Sequence, residues 1–155
     1  TNWRMTEMQA AIGRLQLKKV DEWVQLRNQN ASKILDALKI YKTIKIPIVP
    51  QNIQNAYYRC YVMVDPTYLS AGWSKRKIVN ALVSAGVPCF DGSCSEIYKE
   101  KSFENLGVKP SVKLVNAEYF SEFSFCFLVD HTIKEMDLER WCRAIHKIMR
   151  KVSKD

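Results

Sequence analysis

A chain of 155 residues is long enough for one domain with a real core. Its 47% apolar and 26% charged residues exclude wholesale disorder, and no apolar run approaches the roughly 20 residues that span a bilayer. The net charge of +8 suits anionic partners, whether nucleic acid, a membrane surface or phosphorylated small molecules, without choosing among them. The five cysteines, Cys60, Cys89, Cys94, Cys126 and Cys142, are odd in number and lack a C-x-x-C spacing. Three of them sit in apolar runs, which points to buried thiols in a reducing compartment, hence the cytoplasm. Thr1-Asn2-Trp3 is not a secretory n-region. A chain that opens inside a motif is expected to be a piece of something longer.

In chain order, Thr6 and Gln9 form the S/T-x-x-E/Q capping box that starts a helix, and Met8, Ala11, Ile12 and Leu15 follow at helical spacing. Just before the cap stand an amide (Asn2), an indole (Trp3) and a guanidinium (Arg4). These are either a turn former, a packed ring and a solvated cation, or groups fixed there for an anionic ligand or a partner surface. Gly13 inside the helix costs about 1 kcal/mol relative to Ala and hints at close backbone approach. Asp21 either caps a second helix or lies in a bent continuation, and Val20, Trp23, Val24, Ile34, Leu35 and Leu38 keep the period to about Tyr41. The polar middle, Gln25 to Lys33, is expected to be exposed or to meet another domain.

Ile44 to Pro50 is extended, with prolines that confine it to an edge or linker, and Tyr57 to Val64 is the best strand. Ser74 caps a helix to Ala85, which Gly86 ends in a left-handed residue. Its first turn carries Lys75-Arg76-Lys77, a solvated face or an anion site. Val87 to Phe90 is a short strand, Asp91 to Glu96 a polar loop, and Ser95 to Leu106 a helix stopped by Gly107. Ser111 caps a short helix through Phe120, and Ser124 to Val129 is a second good strand. Thr132 and Glu135 form another capping box, opening a final helix with an apolar stripe of Leu138, Trp141, Cys142, Ile145, Ile148 and Met149. The economical arrangement is α+β, a small, mostly antiparallel sheet covered by helices, with a long N-terminal helix.

Candidate chemistry is sparse. Cys89, Cys94, His131 and His146 match no tight zinc spacing, and a Cys94–His131 nucleophile pair has no third group behind it. Lys134, Arg140, Arg143, Lys147, Arg150 and Lys151 on the last helix suggest phosphate contact, but most of them fall opposite the apolar stripe and no recognition motif accompanies them. A basic nucleic-acid-binding or dimerisation module without catalysis is therefore the alternative reading.

The wording of the opening is more specific than its residue types. NWRMTEMQAAIGRLQLKKVDEWVQLRNQNA, residues 2–31, resembles the N-[YWF]-R-[ML]-T-[ED]-[IM]-Q-A-A-I-G segment of the DegT/DnrJ/EryC1/StrS family of pyridoxal-phosphate-dependent sugar aminotransferases. The resemblance continues less tightly to the C-terminus. It implies residues 1–43 as the N-x-R loop and connecting helices and residues 44–155 as the C-terminal small domain of a fold type I aminotransferase, with the large cofactor-binding domain absent from this chain. In that family the loop reaches across a homodimer, so the resemblance makes Asn2 and Arg4 residues on the side of pyridoxal 5'-phosphate or substrate, acting in trans. It also makes NAYYRCYVMV similar to a strand entry in which His is usual where Asn55 stands, and places Asn55 and Tyr57 near substrate. GVPCFDGSCSEIY is similar to a sugar-pocket loop, giving Ser93, Cys94, Ser95 and Glu96 as substrate-loop residues. Asp130-His131 replaces the usual Pro-containing turn.

The family's Schiff-base lysine, the acidic partner of the pyridine nitrogen and the stacking aromatic lie upstream of the N-x-R loop, and Lys18 and Lys19 do not replace them. The expectation is the C-terminal part of an enzyme that moves an amino group, from a donor such as glutamate, onto a keto sugar nucleotide for polysaccharide or other amino-sugar synthesis. This chain would hold no catalytic residue and would be inactive alone.

Overall fold

The computed structural model describes residues 3–92, 96–103 and 105–154. Helices α1 (Glu7–Leu17) and α2 (Val20–Leu38) lead into strand β1 (Ile44–Lys45) and strand β2 (Cys60–Val64). Helix α3 (Lys75–Ser84), strand β3 (Cys89–Asp91), helix α4 (Val115–Phe123), strand β4 (Ser124–Phe127) and helix α5 (Glu135–Val152) follow. The sheet has the order β1-β2-β4-β3, with every neighbouring pair antiparallel. The fold is α+β, as the sequence predicts.

The two-residue period of the strands separates the faces of the sheet. Cys60, Val62, Val64, Phe125 and Phe127 are buried on one face with Ala31, Ile34 and Leu38 of α2, Ile78 and Leu82 of α3, and Leu138, Ile145 and Met149 of α5. The register sets Cys126 against both Tyr61 and Phe90 on the other face. Burial pushes the Cys60 and Cys89 thiols up to about 12, so they act as small apolar groups.

Several boundaries differ from expectation. The opening capping box forms, with Thr6 Oγ1 accepting from Gln9 N–H at 3.3 Å and Gln9 Oε1 accepting from Thr6 N–H at 3.0 Å. The long helix is broken at Lys18-Lys19; Lys19 takes the cap position of α2, while Asp21 lies in its first turn. Beyond its chain neighbours and the backbone of its own helix, nothing lies within 4 Å of where a Gly13 Cβ would stand. Strand β2 begins only at Cys60, because Tyr57 has φ 43°, the left-handed region that a strand does not enter. Ser74 caps α3 and Gly86, at φ 79°, ends it, both as predicted.

The helix expected over residues 95–106 is replaced by two short 3-10 turns, Ile97–Lys99 and Lys101–Phe103. Tyr98 Oη donates to the Glu96 carboxylate at 2.5 Å, and residues two apart do not face each other on an α-helix. Ser111 caps nothing: α4 starts at Val115 with Leu114 in the cap position, and Phe123, packed on the core, carries it directly into β4. The second predicted capping box is also absent. Asp130 captures Thr132, accepting from its N–H at 3.0 Å and its hydroxyl at 2.7 Å, so α5 starts at Glu135 with no side-chain cap. The basic triplet of α3 is structural where it is engaged. Lys75 donates to the Ser121 carbonyl at 3.1 Å and pairs with Asp91 at 3.2 Å, and Lys77 donates to the Gly72 carbonyl.

Candidate functional site

Helix α1 carries an apolar stripe, yet none of its residues is buried, and Met8, Ile12 and Leu15 are all exposed. The capping box fixes the chain direction at its start, so Trp3 and Arg4 sit as an exposed segment at the tip of an uncovered helix. Asn2 lies outside the described residues, as do Ser93, Cys94 and Ser95 of the predicted substrate loop and Cys94 of the weighed thiol pair.

The second predicted region builds a concave site. Asn55, Tyr57, Arg59 and Tyr61 line a cavity of about 90 Å³ with Leu35, Ile46, Pro47 and Val49. Asn55 Oδ1 accepts the Tyr57 N–H at 2.8 Å, a local side-chain-to-backbone bond that holds Tyr57 in its left-handed conformation. The Asn55 carbonyl accepts from Asn28 Nδ2 of α2, also at 2.8 Å. Partial burial raises the Tyr57 phenol above its ordinary value. The sequence therefore names two lining residues, and the structure brings them together.

Arg59 was not singled out, although the alternation of β2 places it with Tyr61 on the face away from the core. Its guanidinium carbon lies 4.4 Å from the Phe90 ring centroid and 5.6 Å from that of Tyr58, both within cation–π range. Its charge also bears on the Cys126 thiol, where it opposes the upward push of burial. Its Nη1 is buried with no hydrogen-bond partner.

Glu96 does not line this cavity. Lys99 Nζ at 2.8 Å and Tyr98 Oη occupy its carboxylate and hold it below its ordinary value, while the same bond pushes the Tyr98 phenol up to about 12. Glu96 is thus committed to its own loop. Gly92, at the start of that loop, is required by space: a Cβ there would stand 2.1 Å from Ser124 Oγ and 2.7 Å from the Ser124 carbonyl oxygen.

The polar middle of α2 also escaped the sequence as a functional element. Arg27 pairs with Asp130 at 3.3 Å, Asn30 Nδ2 donates to the Asp130 carbonyl at 2.8 Å, and Trp23 stacks on His131 with centroids 4.6 Å apart. With the Asn28–Asn55 bond, α2 braces both Asn55 and the Asp130-His131 turn. His146 lies elsewhere, with Nδ1 3.1 Å from Tyr41 Oη. No three His, Cys, Asp or Glu side chains converge among the described residues. On α5, Arg140 and Arg143 are paired with Asp137 and Glu139 of the same helix, which uses part of the basic face locally.

Residues 1–146 match the family model for the DegT/DnrJ/EryC1/StrS aminotransferase family. The chain is similar to an aminotransferase from Psychrobacter cryohalolentis, with 40% identity and a TM-score of 0.88 over 98% of this chain and 40% of that one. DesV from S. venezuelae shares the fold at 19% identity, with a TM-score of 0.83 over 99% of this chain and 39% of its own. PseC from Helicobacter pylori, an aminotransferase involved in the biosynthesis of pseudoaminic acid, shares it at 18% identity and a TM-score of 0.78, over 97% and 39%. The chain thus spans about two fifths of the length of these solved structures. No curated protein sequence matches it.

Proposed function

The chain belongs to the DegT/DnrJ/EryC1/StrS aminotransferase family, and from that premise we propose that it is the C-terminal part of a pyridoxal-phosphate-dependent enzyme that transfers an amino group to a keto sugar nucleotide. Residues 1–43 form an arm and residues 44–155 a small domain, and the lysine that binds the cofactor belongs to a large domain outside these 155 residues. The chain alone is inactive on this reading. The enzyme works as a cytoplasmic homodimer.

The observation that carries this reading is the arm. A capped helix with an apolar stripe and no buried residue has surface to give to another body, and Arg4 is held at its tip. A planar guanidinium beside an amide suits a phosphate or sugar diphosphate, so Asn2 and Arg4 fit the cofactor's phosphate or the substrate of a neighbouring subunit. Bound pyridoxal phosphate supplies an electron sink for the chemistry at the amino-bearing carbon. This chain's residues bind and orient. Tyr57 offers a neutral phenol, Asn55 sets its backbone, and Ser93, Cys94, Ser95 and Glu96 are the candidate substrate-loop residues.

The test uses the full-length protein. Visible absorbance of lysine-bound cofactor, lost on borohydride reduction, together with glutamate-dependent amination of a keto sugar nucleotide, is the expected result. Absence of both, with no lysine encoded upstream of Thr1, would sink the reading.

A further inference from the structure

The cavity beside β2 is lined by a guanidinium with one buried nitrogen that no hydrogen bond in the fold uses. Arginine is always protonated and carries five N–H donors but no acceptor, and a donor buried without a partner costs about 1–3 kcal/mol, more for a charged group. Arg59 Nη1 is in that position. The carboxylate on the same edge strand as Phe90, Asp91, is paired with Lys75 instead. Phe90 and Tyr58 meet the guanidinium through their rings, an arrangement that supports the charge without consuming its N–H donors. Meanwhile the rest of the wall is apolar or aromatic: Leu35, Ile46, Pro47, Val49, Tyr57 and Tyr61.

We propose that Arg59 is the anchor for a carboxylate of the amino donor, which enters the cavity between β2 and the Ile46–Val49 segment and takes the unpartnered donors of Nη1. The size of the cavity selects the group. At about 90 Å³ it falls well below the roughly 300–1,000 Å³ that whole small-molecule ligands occupy, so it takes a head group and not a nucleotide. Shape and charge agree, because a planar carboxylate matches the arginine fork. The strained backbone at Tyr57, held by Asn55 and through it by Asn28, sets one wall of the same cavity. The identity of the donor rests on the aminotransferase reading, but the carboxylate site itself does not.

The experiment measures binding of glutarate, a dicarboxylate with no amino group, to the full-length protein by titration calorimetry, for the native protein, Arg59→Gln and Arg59→Lys. Inorganic phosphate is the second probe. Arg59→Gln should weaken glutarate about 10- to 100-fold, the loss expected for a charge-assisted pair worth roughly 1.5–3 kcal/mol. Arg59→Lys should weaken it at least fivefold, because an ammonium lacks the fork, and phosphate affinity should stay within twofold throughout. Glutarate affinity unchanged in both variants overturns the proposal, as does a loss confined to phosphate. If Arg59→Gln fails to fold, Arg59→Lys decides alone. Visible absorbance of the lysine-bound cofactor, recorded on all three proteins, separates the two readings. If it is present while glutarate affinity is unchanged, the carboxylate site fails and the enzyme class stands. If it is absent while the glutarate loss holds, the class fails and the site stands.

Discussion

At the scale of single residues, Asp65 shows how one carboxylate ties the sheet edge to its turn. Its carboxylate accepts from Lys45 of β1 at 2.8 Å and from the Thr67 N–H at 3.1 Å, and these bonds hold it down to about 2 from an ordinary value of 3.8. A depressed carboxylate stabilises the fold at pH above its unfolded value and loses that contribution as pH falls through its folded value. The window is therefore about pH 4 down to about pH 2. Asp65→Asn should flatten the fall in melting temperature across that window relative to the native chain, as followed by circular dichroism. Parallel curves for the two proteins would refute the assignment. Asp130, also held to about 2, titrates with the same sign in both proteins and cancels in the comparison.

At the scale of elements, burial and apolar patterning come apart. Ile145 on α5 and Leu15 on α1 both lie on apolar helical faces, but Ile145 is fully buried and Leu15 is 60% exposed. Ile145→Ala should cost about 2–5 kcal/mol, whereas Leu15→Ala should stay within about 0.5 kcal/mol at a concentration low enough to keep the 155-residue chain monomeric. Urea denaturation of the two variants measures the contrast, and an equal cost would mean that α1 packs on this domain. The periodicity that identified both helices could not separate them, because it reports which face is apolar and not what covers it. The same limit runs through the fold. Caps whose partners lie within one turn, such as Thr6–Gln9 and Ser74, were legible. Thr132 was not, because its hydroxyl is claimed by Asp130 two residues away. Asn55 and Tyr57 were reached through a motif resemblance. Arg59 became visible only when the fold set its guanidinium over the Phe90 ring. Nor could the polar run of α2 reveal its role, since its partners Asn55 and Asp130 are 27 and 100 residues distant.

At the scale of the whole molecule, the uncovered arm decides how the chain behaves in solution. Trp3, Met5, Met8, Ile12 and Leu15 are all more than half exposed, and grouped apolar surface of this kind marks an interaction site in a soluble protein. Two destinations are open to it: a second copy of this chain, or the remainder of a longer polypeptide. Light scattering on the 155-residue chain distinguishes them, because the first gives twice the 18.0 kDa of one chain and the second gives a monomer. We expect the dimer, since on the proposed reading the arm lends Arg4 to a neighbouring subunit and must itself lie along that neighbour. Ile12→Glu should then return the chain to a monomer without loss of helix content, because Ile12 makes no core contact within its own chain. A native chain that stays monomeric at high micromolar concentration would assign the apolar face of α1 to the rest of its own polypeptide and would count against the trans role proposed for Arg4.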